Sequence, residues 1–269
     1  MSESPSVPLQ RRQELERLLR TNPLNLDAFL ELAAIYRREN RPVEARRILG
    51  QALEVFPGNV DLLFQHEEAI LARSLQQYRE VADLAARLQT SEADRELSRA
   101  TTDWAMRRIE VCRARLQRDA SALQLNIQLA EAHLDAEDYE EAIEVAGRMT
   151  KHDAYAAPAH LILGRCALAA GDDLTAMKYL RAAALRRAVT APPAIRCIAL
   201  RLLCDAAAKL GVTETLEDYR SALITAEADL AAQQTATPPT STPPTSTPPA
   251  ATPPAATPPT APSPQPSAP

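Results

Sequence analysis

Residues 123–156 read LQLNIQLAEAHLDAEDYEEAIEVAGRMTKHDAYA, and residues 157–188 read APAHLILGRCALAAGDDLTAMKYLRAAALRRA. Set one above the other, they repeat a pattern at an offset of about 34 residues, a period of the length that marks stacked helix-turn-helix units. Leu129-Ala130, Ala142 and Ala146 return as Leu163-Gly164, Ala176 and Leu180, and Glu137 is answered by Gly171. A further copy lies upstream, in Phe29, Leu32, Ala33 and Tyr36, then Ala45, Leu49 and Pro57.

Composition agrees with an all-α chain. Glycine occurs only 6 times in 269 residues, and Ala, Leu, Glu and Arg fill the body. These are strong helix formers, whereas the β-branched and aromatic residues that strands prefer are thin. A net charge of -5 over a mixed surface offers no clustered cations for a phosphate backbone, so nucleic acid is not an expected partner. The polar start of the chain and the lack of a long apolar run give the expectation of a cytoplasmic protein with no membrane span. Cys112, Cys166, Cys197 and Cys204 lack metal-site spacing and fall within apolar helical patterns, which makes them small core residues.

Taken in order, residues 1–8 are expected to be disordered, and a helical solenoid to occupy 9–233. A first helix carries Leu15, Leu18 and Leu19 on one side and stops at Pro23, since the residue before a proline is pushed out of the α region. The clearest repeat units are 26–59, 123–153 and 157–188. In the first, Phe29, Leu32, Ala33 and Tyr36 form one stripe, Pro42 opens the second helix in its permitted first turn, and Ala45 and Ala52 are small where the two helices must approach. Residues 60–122 are degenerate. Two full units do not quite fit there, five residues being lacking, so the pattern predicts shortened pairs, with Leu62, Leu63, Ala69 and Ile70 in one helix and Val81, Leu84, Ala85 and Leu88 in the next. A segment from about Glu92 to Arg118 has no Gly or Pro and predicts one long helix along which Trp104, Ile109 and Leu116 pack. Residues 191–233 read as a more polar C-terminal cap. From 234 to 269 the chain turns Thr/Pro-rich, with Thr-Pro-Pro recurring every five residues from Thr237, and is expected to be disordered, extended and a passive spacer.

The spacing quoted above resembles that of the tetratricopeptide repeat family, in a bacterial-type form with a Thr/Pro-rich tail. The resemblance implies an α-solenoid of antiparallel helix pairs wound into a right-handed superhelix. It also implies that positions 2, 5, 9 and 12 of each first helix meet the ligand on the concave face. Those positions are Asp27, Leu30, Ala34 and Arg37, then Gln124, Ile127, Glu131 and Leu134, then Pro158, Leu161, Arg165 and Leu168. Steps of three and four keep each set on one helical face. His133 falls where the family carries Tyr and reads as a substitute packing residue. One variety of the family grips terminal carboxylates with paired Lys and Asn, and neither occurs among the twelve.

No catalytic constellation is present. His66-Glu67-Glu68 begins like a zinc-protease helix but lacks the second His four residues on, and there is no Gly-rich phosphate loop. No metal or cofactor is expected. The sequence therefore predicts a non-enzymatic scaffold or adaptor that binds another protein or peptide segment on its concave face. A structural protein that self-associates, with the groove filled by its own chain, is the alternative, and an enzyme with an unrecognised site is a distant third.

Overall fold

The computed structural model describes residues 6–186 and 189–236, with side chains from Gln10 to Thr235. The expected disorder at 1–5, the end of the fourth unit at 187–188, and the Thr/Pro tail from 237 onward lie outside the described residues. The chain folds as an all-α solenoid, with no strand among the described residues. The compact unit through Leu230 is built of α1 (Ser6–Thr21), α2 (Leu26–Arg38), α3 (Pro42–Val55), α4 (Val60–Leu88), α5 (Ser91–Arg118), α6 (Leu123–Asp135), α7 (Tyr139–Met149), α8 (Asp153–Ala169), α9 (Asp173–Ala184), α10 (Pro193–Lys209) and most of α11 (Thr213–Ala236). Two boundaries move outward. The first helix begins at Ser6 rather than Leu9, and the last continues through Ala236.

One turn recurs through the array and fixes its register. Asn40, Glu137, Gly171 and Gly211 each adopt the left-handed conformation, at φ of 55°, 61°, 76° and 72°. Each sits between the two helices of a pair, and its N–H donates to the carbonyl three residues back. The following N–H donates five residues back, from Arg41 to Tyr36, Asp138 to His133, Asp172 to Ala167 and Val212 to Ala207. This pair of bonds satisfies carbonyls that a helix end leaves orphaned, and glycine fits the conformation without steric cost at two of the four sites. Numbered from these turns, the first helices begin their units at Leu26, Leu123, Ala157 and Cys197.

The helix starts extend the register into the stretch that looked degenerate. The Asn25 side chain accepts from the Ala28 N–H at 3.0 Å, and Asn59, one repeat period on, accepts from the Leu62 N–H at 3.0 Å. A second unit thus starts in phase at Val60. The corresponding turn would fall at Ser74, but α4 continues and its left-handed residue is Gln89, with φ of 49°. The predicted break between two helices does not exist, because no Gly or Pro interrupts the run from Val60 to Leu88. Instead of two shortened units there is one unit whose helices, at 29 and 28 residues, are each longer by about four turns.

The core is continuous within neighbouring units rather than central. Leu15 of α1 packs with Phe29, Leu32 and Leu49, so α1 caps the first unit as expected, although Leu18 remains largely exposed. Cys112 and Cys166 join Ile109, Leu129, Val145 and Ile162 in the middle cluster, and Cys197 joins Leu180, Leu200, Leu203 and Tyr219 in the last. Burial pushes the Cys112, Cys166 and Cys204 thiols above their ordinary value, which suits inert packing rather than reactivity. Trp104 is half-buried, with the Arg108 guanidinium 5.7 Å from its ring centre.

Candidate functional site

In the C-terminal half of the array the first helices lie on the inside. α6 packs directly on α8, and α8 on α10, whereas the second helices α7 and α9 make no comparable contact. Stacked units whose first helices touch and whose second helices splay must curve toward the first helices.

Placed on this inner face, the expected ligand positions divide into two groups. Ile127 and Leu134 are each only 7% exposed and belong to the middle core cluster. They are packing residues with little area for a partner, a correction to the expected site. Here α5 lies against α6, and its Ile109 and Cys112 share this cluster with them. Leu30, Leu161 and Leu168 are half-buried, and Arg37, Gln124 and Arg165 are exposed. Asp27 is exposed, while Ala34 and Pro158 are half-buried.

The charged positions are tied into the wall of the groove. Arg108 of α5 donates to Asp135 at 2.7 Å and reaches Glu131 at 3.5 Å, and Arg165 lies 3.8 Å from Asp135. Burial raises the Glu131 carboxyl above its ordinary value, and Asp135 adds to the effect while Arg108 and Arg165 oppose it. Arg37 donates to Gln65 at 3.3 Å, joining α2 to α4. His133 is not available to a ligand. It is 2% exposed, its Nδ1 stands 2.8 Å from the Asp138 carboxylate and its Nε2 3.4 Å from Arg113, so it fastens the turn in the place the family gives to Tyr.

The register read from the structure adds equivalent positions in two further units. The second unit, in phase from Val60, contributes Asp61, Phe64, Glu68 and Leu71. Phe64 lies under the Arg115 guanidinium at 4.2 Å, and Arg115 also donates to Glu67 at 2.9 Å and Glu68 at 2.8 Å. Glu67, 6% exposed, takes a further bond from Arg118 at 2.7 Å. Numbered from Gly211, the last unit contributes Ile198, Arg201, Asp205 and Ala208, with Ile198 exposed. The capping asparagines Asn25 and Asn59, one period apart, and the interval from Gly171 to Gly211 are the signals that would have found both sets. Still no Lys or Asn appears at these positions, so the residues of a terminal-carboxylate clamp are missing.

Among the described residues, no three His, Cys, Asp or Glu side chains are gathered to hold a metal, and no helix is long and apolar enough to cross a membrane. The architecture is an all-α array of stacked helix pairs. The tetratricopeptide repeat family model matches residues 27–59, the α2–α3 unit. Members of this family bind other proteins and generally serve as non-catalytic scaffolds. Among solved structures, one similar chain is PilW, described as a widely conserved type IV pilus biogenesis factor, at 17% identity and a TM-score of 0.37, covering 87% of this chain and 96% of that one. No curated protein matches the chain.

Proposed function

We propose that this protein is a non-enzymatic adaptor that holds an apolar segment of a partner protein along its inner face. The observation that carries the reading is the line of half-covered or exposed apolar side chains there, Leu30, Phe64, Leu161, Leu168 and Ile198, to which every unit but that of α6 and α7 contributes. Exposed Arg37 and Arg165 flank the line and give it polarity. Leaving apolar area in water costs about 25 cal/mol per Å², which a partner recovers on binding. An amphipathic helix or an extended segment suits such a groove.

The test uses substitutions at exposed positions, which spare the core. Full-length chain is immobilised as wild type, as Arg165→Glu with Ile198→Glu, and as Leu174→Glu, a control on α9 where the leucine is exposed. Source-cell lysate is passed over each. The reading expects a protein retained by the wild type and the control and lost by the inner-face variant, with equal helicity in all three. Equal retention by all three would remove it.

A further inference from the structure

The second unit has a feature that the inner face does not use. Because α4 runs on past the point where the other units turn, as far as Leu88, α4 and α5 continue as a two-helix finger that ends at Gln89. Leu71, Leu75, Tyr78, Ala82 and the buried Ala85 form the α4 stripe that meets α5. A second stripe runs about 100° round the helix, through Ile70, Ser74, Gln77, Val81, Leu84 and Leu88, at steps of three and four. Among the described residues nothing covers its outer end, where Leu84 is 53% and Leu88 54% exposed.

The base of this second stripe enters a cleft of about 350 Å³. Ile70 and Val111 form its apolar side, and Arg46 of α3, Arg73 of α4 and Arg107 of α5 its cationic side. Arg107 is matched by Glu110 at 2.7 Å, and the cleft's Glu67 is held by Arg115 and Arg118. Arg46 and Arg73 have no carboxylate partner among the described residues. The second stripe of α4 therefore runs about 27 Å from Ile70, in the cleft that holds the guanidinium groups of Arg46 and Arg73, to an apolar tip at Leu88.

We propose that this outer face of the finger docks an amphipathic helix of a partner protein, apolar at i, i+3 or i+4 and i+7, with Asp or Glu at the end that lies in the cleft. A stripe that is apolar over its outer half, at Val81, Leu84 and Leu88, beside a helix pair is a surface against which a third helix packs. Guanidinium forks pair with carboxylates in bidentate geometry, so the acidic end fixes both direction and register. Two isolated arginines on a chain of net charge -5 do not neutralise a run of phosphates, which argues for an acidic protein helix over nucleic acid. The finger site stands apart from the inner-face reading and survives if that reading fails.

A displayed library of peptides of about 16 residues, long enough for four helical turns, is selected on the full-length chain, with counter-selection on Leu84→Ser/Leu88→Ser and on Arg46→Glu/Arg73→Glu. These side chains are exposed or at the cleft wall, and unchanged helicity confirms the fold. The expected result is enrichment of peptides with a helical apolar repeat and terminal Asp or Glu. Those peptides bind each double variant at least about tenfold more weakly, and the arginine variant regains binding when their acids are changed to Lys. No enrichment, or enriched peptides indifferent to both variants, overturns the proposal. So does light scattering that finds a dimer which Leu84→Ser/Leu88→Ser converts to monomer, since a second copy then occupies the face.

Discussion

Two of the three helical glycines, Gly164 and Gly147, should respond to the same substitution with opposite sign. An alanine Cβ at 164 would stand 2.7 Å from both Cγ and Cδ2 of Leu180, against an attractive optimum of about 3.5–4.0 Å between carbons. Leu180 is fully buried in the last core cluster and cannot swing into solvent. Overpacking of this kind costs about 1–3 kcal/mol. Helix propensity returns about 1 kcal/mol for Gly to Ala, so Gly164→Ala should be destabilised by about 1 kcal/mol. At Gly147 the new methyl meets nothing within 4 Å, so only the propensity gain remains, reduced because the residue lies two positions from the end of α7. With about 2–4 °C of melting temperature per kcal/mol for a chain of this size, the two variants should melt several degrees apart, on either side of the parent. Circular dichroism at the helix band provides the assay. A Gly164→Ala protein that melts with or above the parent would refute the close approach of α8 and α9.

Further substitutions probe the joints between units. Arg115→Met removes one of two guanidinium partners of buried Glu67 and uncovers Phe64; loss of a buried partner costs about 3–5 kcal/mol, and because Arg118 still holds the carboxylate the loss in chemical denaturation should be about 2 kcal/mol, partly restored by Glu67→Gln. Asn25→Ala and Asn59→Ala each remove a cap and should cost about 1 kcal/mol apiece, near-additively, by the same measurement. Burial, which disfavours the imidazolium, and repulsion by Arg186 hold the His160 ring below its ordinary pKa of 6.5, and its buried Nδ1 finds no hydrogen-bond partner among the described residues. The unfolded chain therefore takes up the proton first as pH falls, and the stabilisation, complete above 6.5, is lost in acid. His160→Phe, which keeps the ring beside Tyr179, should lessen the fall in melting temperature between about pH 7.5 and 5.5.

The repeat period was legible because residues at a helix crossing are constrained by size. Ala45, Ala142 and Ala176 are all fully buried where two helices meet, and that demand recurs with each of these units. Chain length misled in the middle. A stretch only five residues short of two units looks like two, and only the missing turn at Ser74 shows it to be one, a turn whose absence has no sequence marker beyond the want of Gly or Pro. At the inner face, position in the repeat identified which side of each helix points inward, but not how much a neighbour covers. Ile127 and Leu134 occupy the same positions as Leu161 and Leu168, yet the first pair is buried in the middle cluster with Ile109 and Cys112 of α5, while the second is only partly covered against the last cluster. Ion pairs such as Arg108 with Asp135 join α5 to α6 across a span unrelated to the period and leave no periodic trace.

An adaptor of the proposed kind receives its partner on the inner face and not on the outer surface. A photo-activatable phenylalanine analogue, placed in turn at Arg165, at Ile198 and at Leu174 in cells of the source, reports this directly through the adducts formed on irradiation. Positions 165 and 198 are expected to capture the same protein, and position 174 is expected not to. Capture of that protein from position 174 alone, or equally from all three, would contradict the inner-face assignment.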